Sequence, residues 1–352
     1  MEQQHKRRVR YAGTHPRTYQ EKYKELQPEK YAGDVAHILE GGRTPAGMHI
    51  PICVGEILEF LQIRPGQTGL DATLGYGGHT RAMLERLEGR GRLYAVDVDP
   101  IESEKTRARL ESLGYGPELL TIRQMNFADA DQIAPGVKFD FVLADLGVSS
   151  MQIDNPERGF SFKYDGPLDL RLNPTAGVTA AERLRELTRQ ELTELLAENA
   201  DEPHAEEVAR AITGTLRGGG RIDTTRQLTD VIAGALGRLP GEERREEIKK
   251  SCQRTFQALR IDVNGEFEAL YAFLEKLPGI LAEGGRVAIL TFHSGEDRLV
   301  KQAFRQFQRE GVYSAAAADV IRPSAEECFR NPRARSAKLR WAIRAPERET
   351  AE

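Results

Sequence analysis

Apolar residues gather in short, strand-length runs at about 68–74, 92–97, 119–123 and 139–145, and the first three are each followed by a helix-compatible or loop segment. Strands alternating with helices predict a parallel, doubly wound sheet. The alternation stops after Asp145. A turn-rich polar segment leads into a stretch from about 178 to 260 that reads as several amphipathic helices, broken at Pro203, at Gly218-Gly219-Gly220 and at Pro240-Gly241. The sheet pattern resumes near 264. Phe267, Leu270, Tyr271, Leu274 and Leu277 share one helical face, Pro278 is expected to disturb the end of that helix, and Gly284-Gly285 opens a fifth strand, Arg286–Phe292. Leu299, Val300, Ala303, Phe304 and Phe307 mark a further helix, and Lys338–Arg344 a final strand, with Trp341 and Phe304 as core. The pattern therefore predicts an α/β sheet interrupted by an inserted helical subdomain, without internal repeats.

Composition adds bounds. The chain has 352 residues, 39% hydrophobic and 30% charged, enough for one full α/β domain plus a smaller unit. No window reads as a membrane span, and no apolar segment follows the charged N-terminus as in a secretory signal, so a cytoplasmic protein is expected. Cys53, Cys252 and Cys328 are far apart and form no C-x-x-C pair, which argues against a disulfide framework and a thiolate metal site, and the scattered histidines add no metal spacing. A formal net charge of −4 does not itself suggest nucleic acid, so local patches must carry that case. One is residues 5–31, where Lys6, Arg7, Arg8, Arg10, Arg17, Lys22 and Lys24 are interleaved with Tyr11, Tyr19, Tyr23 and Tyr31; a solvated tail fits it as well. The other runs from Arg330 to Arg340 through Arg333, Arg335 and Lys338, with no acid in it.

Candidate chemistry starts at the first strand end, Asp71-Ala-Thr-Leu-Gly75-Tyr-Gly77-Gly78-His79. Glycines there let backbone approach a ligand, and Asp97, at the end of the next strand, sits at the spacing of a carboxylate that holds a ribose. A dinucleotide fingerprint would want a small residue where Thr80 stands, so a nicotinamide oxidoreductase fits poorly. The loop is more similar to the first motif of S-adenosylmethionine-dependent methyltransferases, with Thr73 where many members carry a glycine. The fourth strand ends at Asp145-Leu-Gly147, and in a doubly wound sheet both tips would meet at one crevice. A long segment follows, Val148 to Arg171, rich in hydroxyls, carboxylates and the aromatics Phe160, Phe162 and Tyr164. It reads as a substrate loop, with an ordered loop packed for stability as the second reading.

These residues, with Arg254-Thr-Phe-Gln257-Ala-Leu-Arg260-Ile-Asp-Val-Asn264, Thr291-Phe-His293-Ser294-Gly-Glu296-Asp297-Arg298 and Asn331-Pro-Arg-Ala-Arg-Ser-Ala-Lys338-Leu-Arg, resemble the RsmH (MraW) family of bacterial small-subunit rRNA methyltransferases from about His49 to Arg344. The resemblance implies a Rossmann-like class I methyltransferase sheet in two pieces, 49–155 and 262–345, around a helical substrate-recognition domain at 156–261, with 1–48 as an N-terminal extension that typical members lack. It implies methyl transfer from S-adenosylmethionine to the exocyclic N4 of a decoding-region cytidine of 16S rRNA in the small ribosomal subunit, with no metal or membrane involved; a homodimer stays open. Carried over by position, Gly77, Gly78, His79, Asp97, Phe127, Asp145 and Gln152 would contact the cofactor, joined by Gly75 from the loop itself. Where the family usually carries a His-Pro-Ala-type sequence this chain has Lys249-Lys250-Ser251-Cys252-Gln253, and Gly295 stands where leucine is common. Those departures leave the target nucleotide open.

Cytosine N4 is a weak nucleophile because its lone pair is delocalised into the ring, so alignment and acceptors for its hydrogens matter most. Asp145 is the first candidate acceptor, followed by Asp169 and Ser149. Asp169 could instead pair with Arg171 or Arg158. His293 is balanced between a ligand-side role and a structural one. Arg158, Arg171, Arg254, Arg260, Arg333 and Arg335 are candidates for phosphate or base contacts; a surface ion pair is as good a reading for the last four, and pairing with Asp165 or Asp169 the other reading for Arg158 and Arg171. Two further readings stand beside the leading one: the same fold with a different RNA or protein target, and a ribosome-binding assembly factor without turnover.

Overall fold

The structure, a computed structural model, describes residues 51–238 and 240–347. The extension at 1–48, including its basic and aromatic patch, lies outside the described residues. Chain order is α1 (Val54–Leu61), β1 (Thr68–Asp71), α2 (Gly78–Leu87), β2 (Arg92–Asp97), α3 (Pro100–Ser112), β3 (Leu120–Gln124) and β4 (Phe139–Asp145). A short helix, α4 (Ser150–Asp154), follows, then α5 (Ala180–Glu186), α6 (Arg189–Ala200), α7 (Ala205–Arg217), α8 (Thr225–Ala235) and the long α9 (Gly241–Asn264). The sheet is rejoined by α10 (Glu266–Ile280) and β5 (Leu281–Thr291), and the chain closes with α11 (Ser294–Arg309), β6 (Tyr313–Ala316), α12 (Ala325–Arg330) and β7 (Lys338–Arg344).

One seven-stranded sheet has the order β3-β2-β1-β4-β5-β7-β6. Pairings among β1 to β5 are parallel, while β7 runs antiparallel to both β5 and β6. The order reverses between β1 and β4, which are direct neighbours, and that is where ligands enter such sheets. Phe139-Asp-Phe-Val-Leu-Ala-Asp145 is buried nearly throughout because helices cover both faces of a parallel strand. The strand β6 has no counterpart in the sequence pattern: Tyr313-Ser-Ala-Ala316 is too short and too weakly apolar to register, and pairing with β7 makes it a strand. Pro278 does not end its helix; α10 continues through it to Ile280.

The described residues belong to one compact unit, and three apolar cores lie within it. One core covers each face of the sheet, on one side under α1 and α2, on the other under α10 and α11. A third, from Phe160 to Leu259, belongs to the helices between β4 and α10. Three of those helices open with reciprocal capping boxes, Thr179 with Glu182, Thr188 with Glu191 and Thr224 with Gln227. Each box satisfies backbone N–H groups that a helix start leaves orphaned, stabilising by about 1 kcal/mol. The last of the helices, α9, is 24 residues long and brings its C-terminal end back to the sheet, where Gly265 in the left-handed region turns it into α10. Among the described residues no helix is long and apolar enough to cross a membrane.

Candidate active site

The β1 and β4 tips converge through Thr73, whose hydroxyl accepts a hydrogen bond from the Asp145 backbone N–H at 2.6 Å. A glycine there would lack that tie. Thr80 plays a similar part, since its hydroxyl donates to the buried Asp71 carboxylate at 2.6 Å and locks the start of α2 onto β1. The glycines between them make a sharp turn, with φ of 48° at Gly75 and 79° at Gly77. A side chain at Gly77 would also meet the Thr106 methyl, its Cβ only 2.8 Å away.

Above these tips lies a cavity of about 710 Å³, within the range of small-molecule sites. Its first half is lined by Gly75, Gly77, Gly78, Asp97, Asn126, Phe127 and Gln152, residues from the ends of β1, β2, β3 and β4. Asp97 accepts the Gly75 N–H on one oxygen at 2.8 Å and the Asp99 N–H on the other at 2.9 Å. Each oxygen keeps capacity for a second donor. Burial pushes the Asp97 carboxyl up to about 6, against the opposing pull of those two N–H groups. Phe127 packs edge-on against Phe273 with ring centroids 5.3 Å apart, which fixes its ring at the wall. Gln152 spends its amide inward, donating to Asp99 and accepting from the Ser149 N–H, both at 2.8 Å. Its partner Ser149 caps α4, so the hydroxyl of this candidate already accepts one hydrogen bond.

Asp145 stands where the two halves meet. One carboxylate oxygen lies 3.4 Å from His79 Nδ1, and the other is buried with no hydrogen-bond partner. His79 Nε2 is 3.0 Å from the Ile52 carbonyl, which only accepts, so Nε2 carries a proton. An Nδ1 facing a carboxylate then calls for a second proton. Burial would push the imidazole down, but Asp145 outweighs it and holds His79 above its ordinary range. The His79 side chain thus serves Asp145, with both ring nitrogens engaged by protein.

The second half is lined by Arg171, Leu172, Asn173, Gln257, Arg260, Asn264, Glu266, His293, Glu296 and Arg333. Its cations are mostly neutralised inside the protein. Arg260 forms a two-pronged pair with Glu266 at 2.7 and 2.8 Å, and Arg171 a similar one with Asp169, whose carboxylate does not reach the cavity. Arg333 pairs with Asp154 at 2.9 Å but stays partly open. His293 caps α11, and its Nε2 lies 3.2 Å from Glu296 without an aligned hydrogen bond.

Three of the expected substrate contacts lie off the cavity. Arg158 is 8% exposed; it pairs with Asp99 at 2.8 Å and donates to the Arg171 and Leu172 carbonyls. A buried pair with Asp99, rather than one with Asp165 or Asp169, occupies it, and the substrate-contact expectation is corrected. Arg254 pairs with Glu247, one α9 residue with another. Arg335 is exposed on the segment after α12, with no ion pair to any described residue. Asp169, expected as a candidate acceptor, is corrected in the same way by its bond to Arg171.

Glu266 joins the site without having stood out in the sequence, and Asn264, which ends the family-like motif at 254–264, joins it without an assigned role. Asn264 accepts the Leu172 N–H and donates to the Leu170 and Arg260 carbonyls, tying the loop after β4 to the end of α9. Arg260 and Glu266 straddle the Gly265 turn, and that helix-ending glycine was the available signal. The unusual segment 249–253 does not line the cavity: Ser251 and Cys252 are buried, while Lys249 and Lys250 pair with Glu246 and Glu247. Gly295 has a local reason, since a Cβ there would sit 2.5 Å from the Phe267 ring.

Residues 46–345 match the MraW methylase family. Over 342 residues the chain is 66% identical to "Ribosomal RNA small subunit methyltransferase H 1" of Lachnoclostridium phytofermentans, covering 97% of this chain and 93% of that protein. It is 64% identical to a protein of the same name from Agathobacter rectalis and 65% identical to "Ribosomal RNA small subunit methyltransferase H 2" of Alkaliphilus metalliredigens, each over 98% of this chain and 99% of the relative. Coverage that complete takes in most of residues 1–48, so these relatives share the extension.

Proposed function

The chain belongs to the MraW methylase family, and from that premise we propose that its cavity methylates the exocyclic N4 of a cytidine in small-subunit ribosomal RNA, with S-adenosylmethionine as methyl donor, in the cytoplasm. One observation carries the choice of an amine acceptor: the partnerless, buried oxygen of Asp145 at the boundary of the two half-cavities. A buried carboxylate oxygen without a donor costs about 1–3 kcal/mol or more, so it marks a place where a ligand N–H belongs.

The residues present fit the cofactor. Asp97 offers two half-used oxygens to a pair of ribose hydroxyls, the glycines give backbone access, and Phe127 offers an aromatic wall to a purine. When bound, S-adenosylmethionine supplies a methyl group on a positively charged sulfur.

The protein's work is then alignment. His79, protonated and anchored on Ile52, holds one oxygen of the Asp145 carboxylate and leaves the other without a protein donor in a residue that lines the cavity. That oxygen accepts an N4–H of the cytosine, which holds the amine nitrogen in place and adds electron density to it. As the new N–C bond would form, the S–CH3 bond would break with its electron pair left on sulfur, giving S-adenosylhomocysteine; the amine becomes cationic, and the same carboxylate stabilises that charge until a proton leaves to solvent. Arg260, fixed by Glu266 and lining the second half, has N–H groups left over that suit the carbonyl and ring nitrogen of a pyrimidine. We place substrate recognition in the helices of 156–261, whose α9 delivers that arginine.

Incubation with methyl-labelled cofactor and small ribosomal subunits, followed by nucleoside analysis, tests the reading. N4-methylcytidine is the expected product. Label in another nucleoside rejects the N4 assignment, and subunit binding without any transfer favours an assembly factor.

A further inference from the structure

The arginines around the cavity are largely paired, which raises the question of what grips the strand on either side of the target base. Among the described residues, three exposed aromatic side chains are available: Tyr164, Tyr271 and Phe329. The Tyr271 phenol interacts with Glu275, a poor neighbour for a phosphate chain. Tyr164 adjoins Asp165, whose carboxylate pairs with Arg226. Phe329 also has an acid nearby, Glu326, but that acid pairs with Arg330 and further cations follow in the same segment. Phe329 is 84% exposed, on α12, a helix whose inward side is taken by Glu327, bonded to the Cys53 N–H, and by Cys328, packed on the sheet's core.

Its surroundings suit a polyanion. Arg322 and Arg335 are exposed, neither paired with a described acid, and Arg330 beside it is exposed with one partner, Glu326. The segment is continuous with the site: Asn331, Arg333 and Ser336, immediately after α12, line the cavity. An exposed apolar ring in a segment that also carries unpaired guanidinium groups and leads into a cavity is the equipment of single-stranded nucleic-acid grooves, where rings stack bases and cations track phosphates.

We propose that Phe329 is a stacking platform for a base flanking the target nucleotide, with Arg335 and Arg322 holding the adjoining phosphates. This rests on an RNA substrate, as proposed above. Stacking asks for a planar ring of any kind, while burial against a protein asks only for apolar bulk, so the two are separable.

The test uses the full chain, a naked small-subunit rRNA fragment containing the methylated cytidine, and assembled subunits. Phe329→Ala should weaken binding of the naked fragment about tenfold, in the range of one base–aromatic stack. Phe329→Trp should restore it and Phe329→Leu should not. Arg335→Ala should lower the salt dependence of fragment binding by about one counterion. Cofactor affinity, measured separately, should be unchanged in all four. Unaltered fragment binding in Phe329→Ala, full rescue by leucine, or a defect confined to assembled subunits, which would indicate a ribosomal protein contact, overturns the proposal. Wild-type methyl transfer to RNA in any of these cases leaves the broader function standing, and its absence would count against that function instead.

Discussion

The two halves of the cavity handle charge in opposite ways. At the strand tips, carboxylates are set by backbone N–H groups and a histidine, and keep accepting capacity: Asp97 on both oxygens, Asp145 on one. Across the cavity, guanidinium groups are turned onto the protein's own acids: Arg260 on Glu266, Arg171 on Asp169, Arg333 on Asp154, and Arg158 on Asp99 behind the wall. The first half is built to bind polar ligand groups directly. The second uses charge to hold its own shape, leaving recognition to guanidinium edges and carbonyls. A small, invariant cofactor suits the former and a large polymer threading past a rigid rim suits the latter.

The largest effect should come from breaking that internal use of charge. Arg158→Met leaves Asp99 buried without its cation, and loss of one partner of such a pair destabilises by about 3–5 kcal/mol. Chemical denaturation should show it as a lower midpoint. A fully folded, equally stable variant with weakened RNA binding would instead return Arg158 to the substrate and blur the contrast between the halves.

Asp145 decides where the boundary runs. Asp145→Asn keeps the shape, weakens the tie to His79 and removes the acceptor charge, so kcat should fall about 100-fold, comparable with deletion of one preorganised transition-state contact. Cofactor affinity should fall much less. Equal losses in both would move Asp145 wholly to the cofactor side. Asp97→Ala should do the reverse: calorimetry should show cofactor binding weakened tenfold or more, from charge-assisted bonds of about 1.5–3 kcal/mol each, with RNA binding intact.

The same contrast explains what could be read from the chain. Strands β1 to β5, β7 and the tips were legible because their signals are local: an apolar run, a glycine turn, and an acid at the end of the following strand. Thr73 and Thr80 showed in sequence only as departures from other glycine loops, yet each closes a hydrogen bond that the fold requires. Arginine roles were not legible. Arg158 and Arg335 are alike as letters beside glycine or alanine in polar segments; what separates them is Asp99, 59 positions earlier in sequence, which meets the first and not the second. No spacing rule reaches that far, because the pairing is made by β2 and the loop after β4 arriving side by side.

The smallest effects near neutrality should appear as pH limbs, one from Asp97 and one from His79. Asp97, pushed up to about 6, holds ribose hydroxyls best when ionised. A proton therefore competes with cofactor: affinity should be halved near pH 6 and fall about tenfold for each further unit of acid. The sign for the free protein is opposite. A raised carboxyl pKa means the folded state takes up the proton before the unfolded state does, so the contribution to stability is present at low pH and lost as pH rises through 6. Thermal melts with and without S-adenosylhomocysteine should then show a cofactor-induced increment that shrinks below pH 6. At the other end His79, held above its ordinary range by Asp145, clamps that carboxylate only while protonated. Its hold is present below the raised pKa and lost above it, with Asp71 the other acid near the ring. The fall in kcat on the alkaline side should therefore vanish in His79→Gln, which carries no titratable ring, while the acid limb of cofactor affinity survives. An alkaline limb that persists in this variant would show that another group sets it and that the Asp145 clamp does not depend on the histidine's charge.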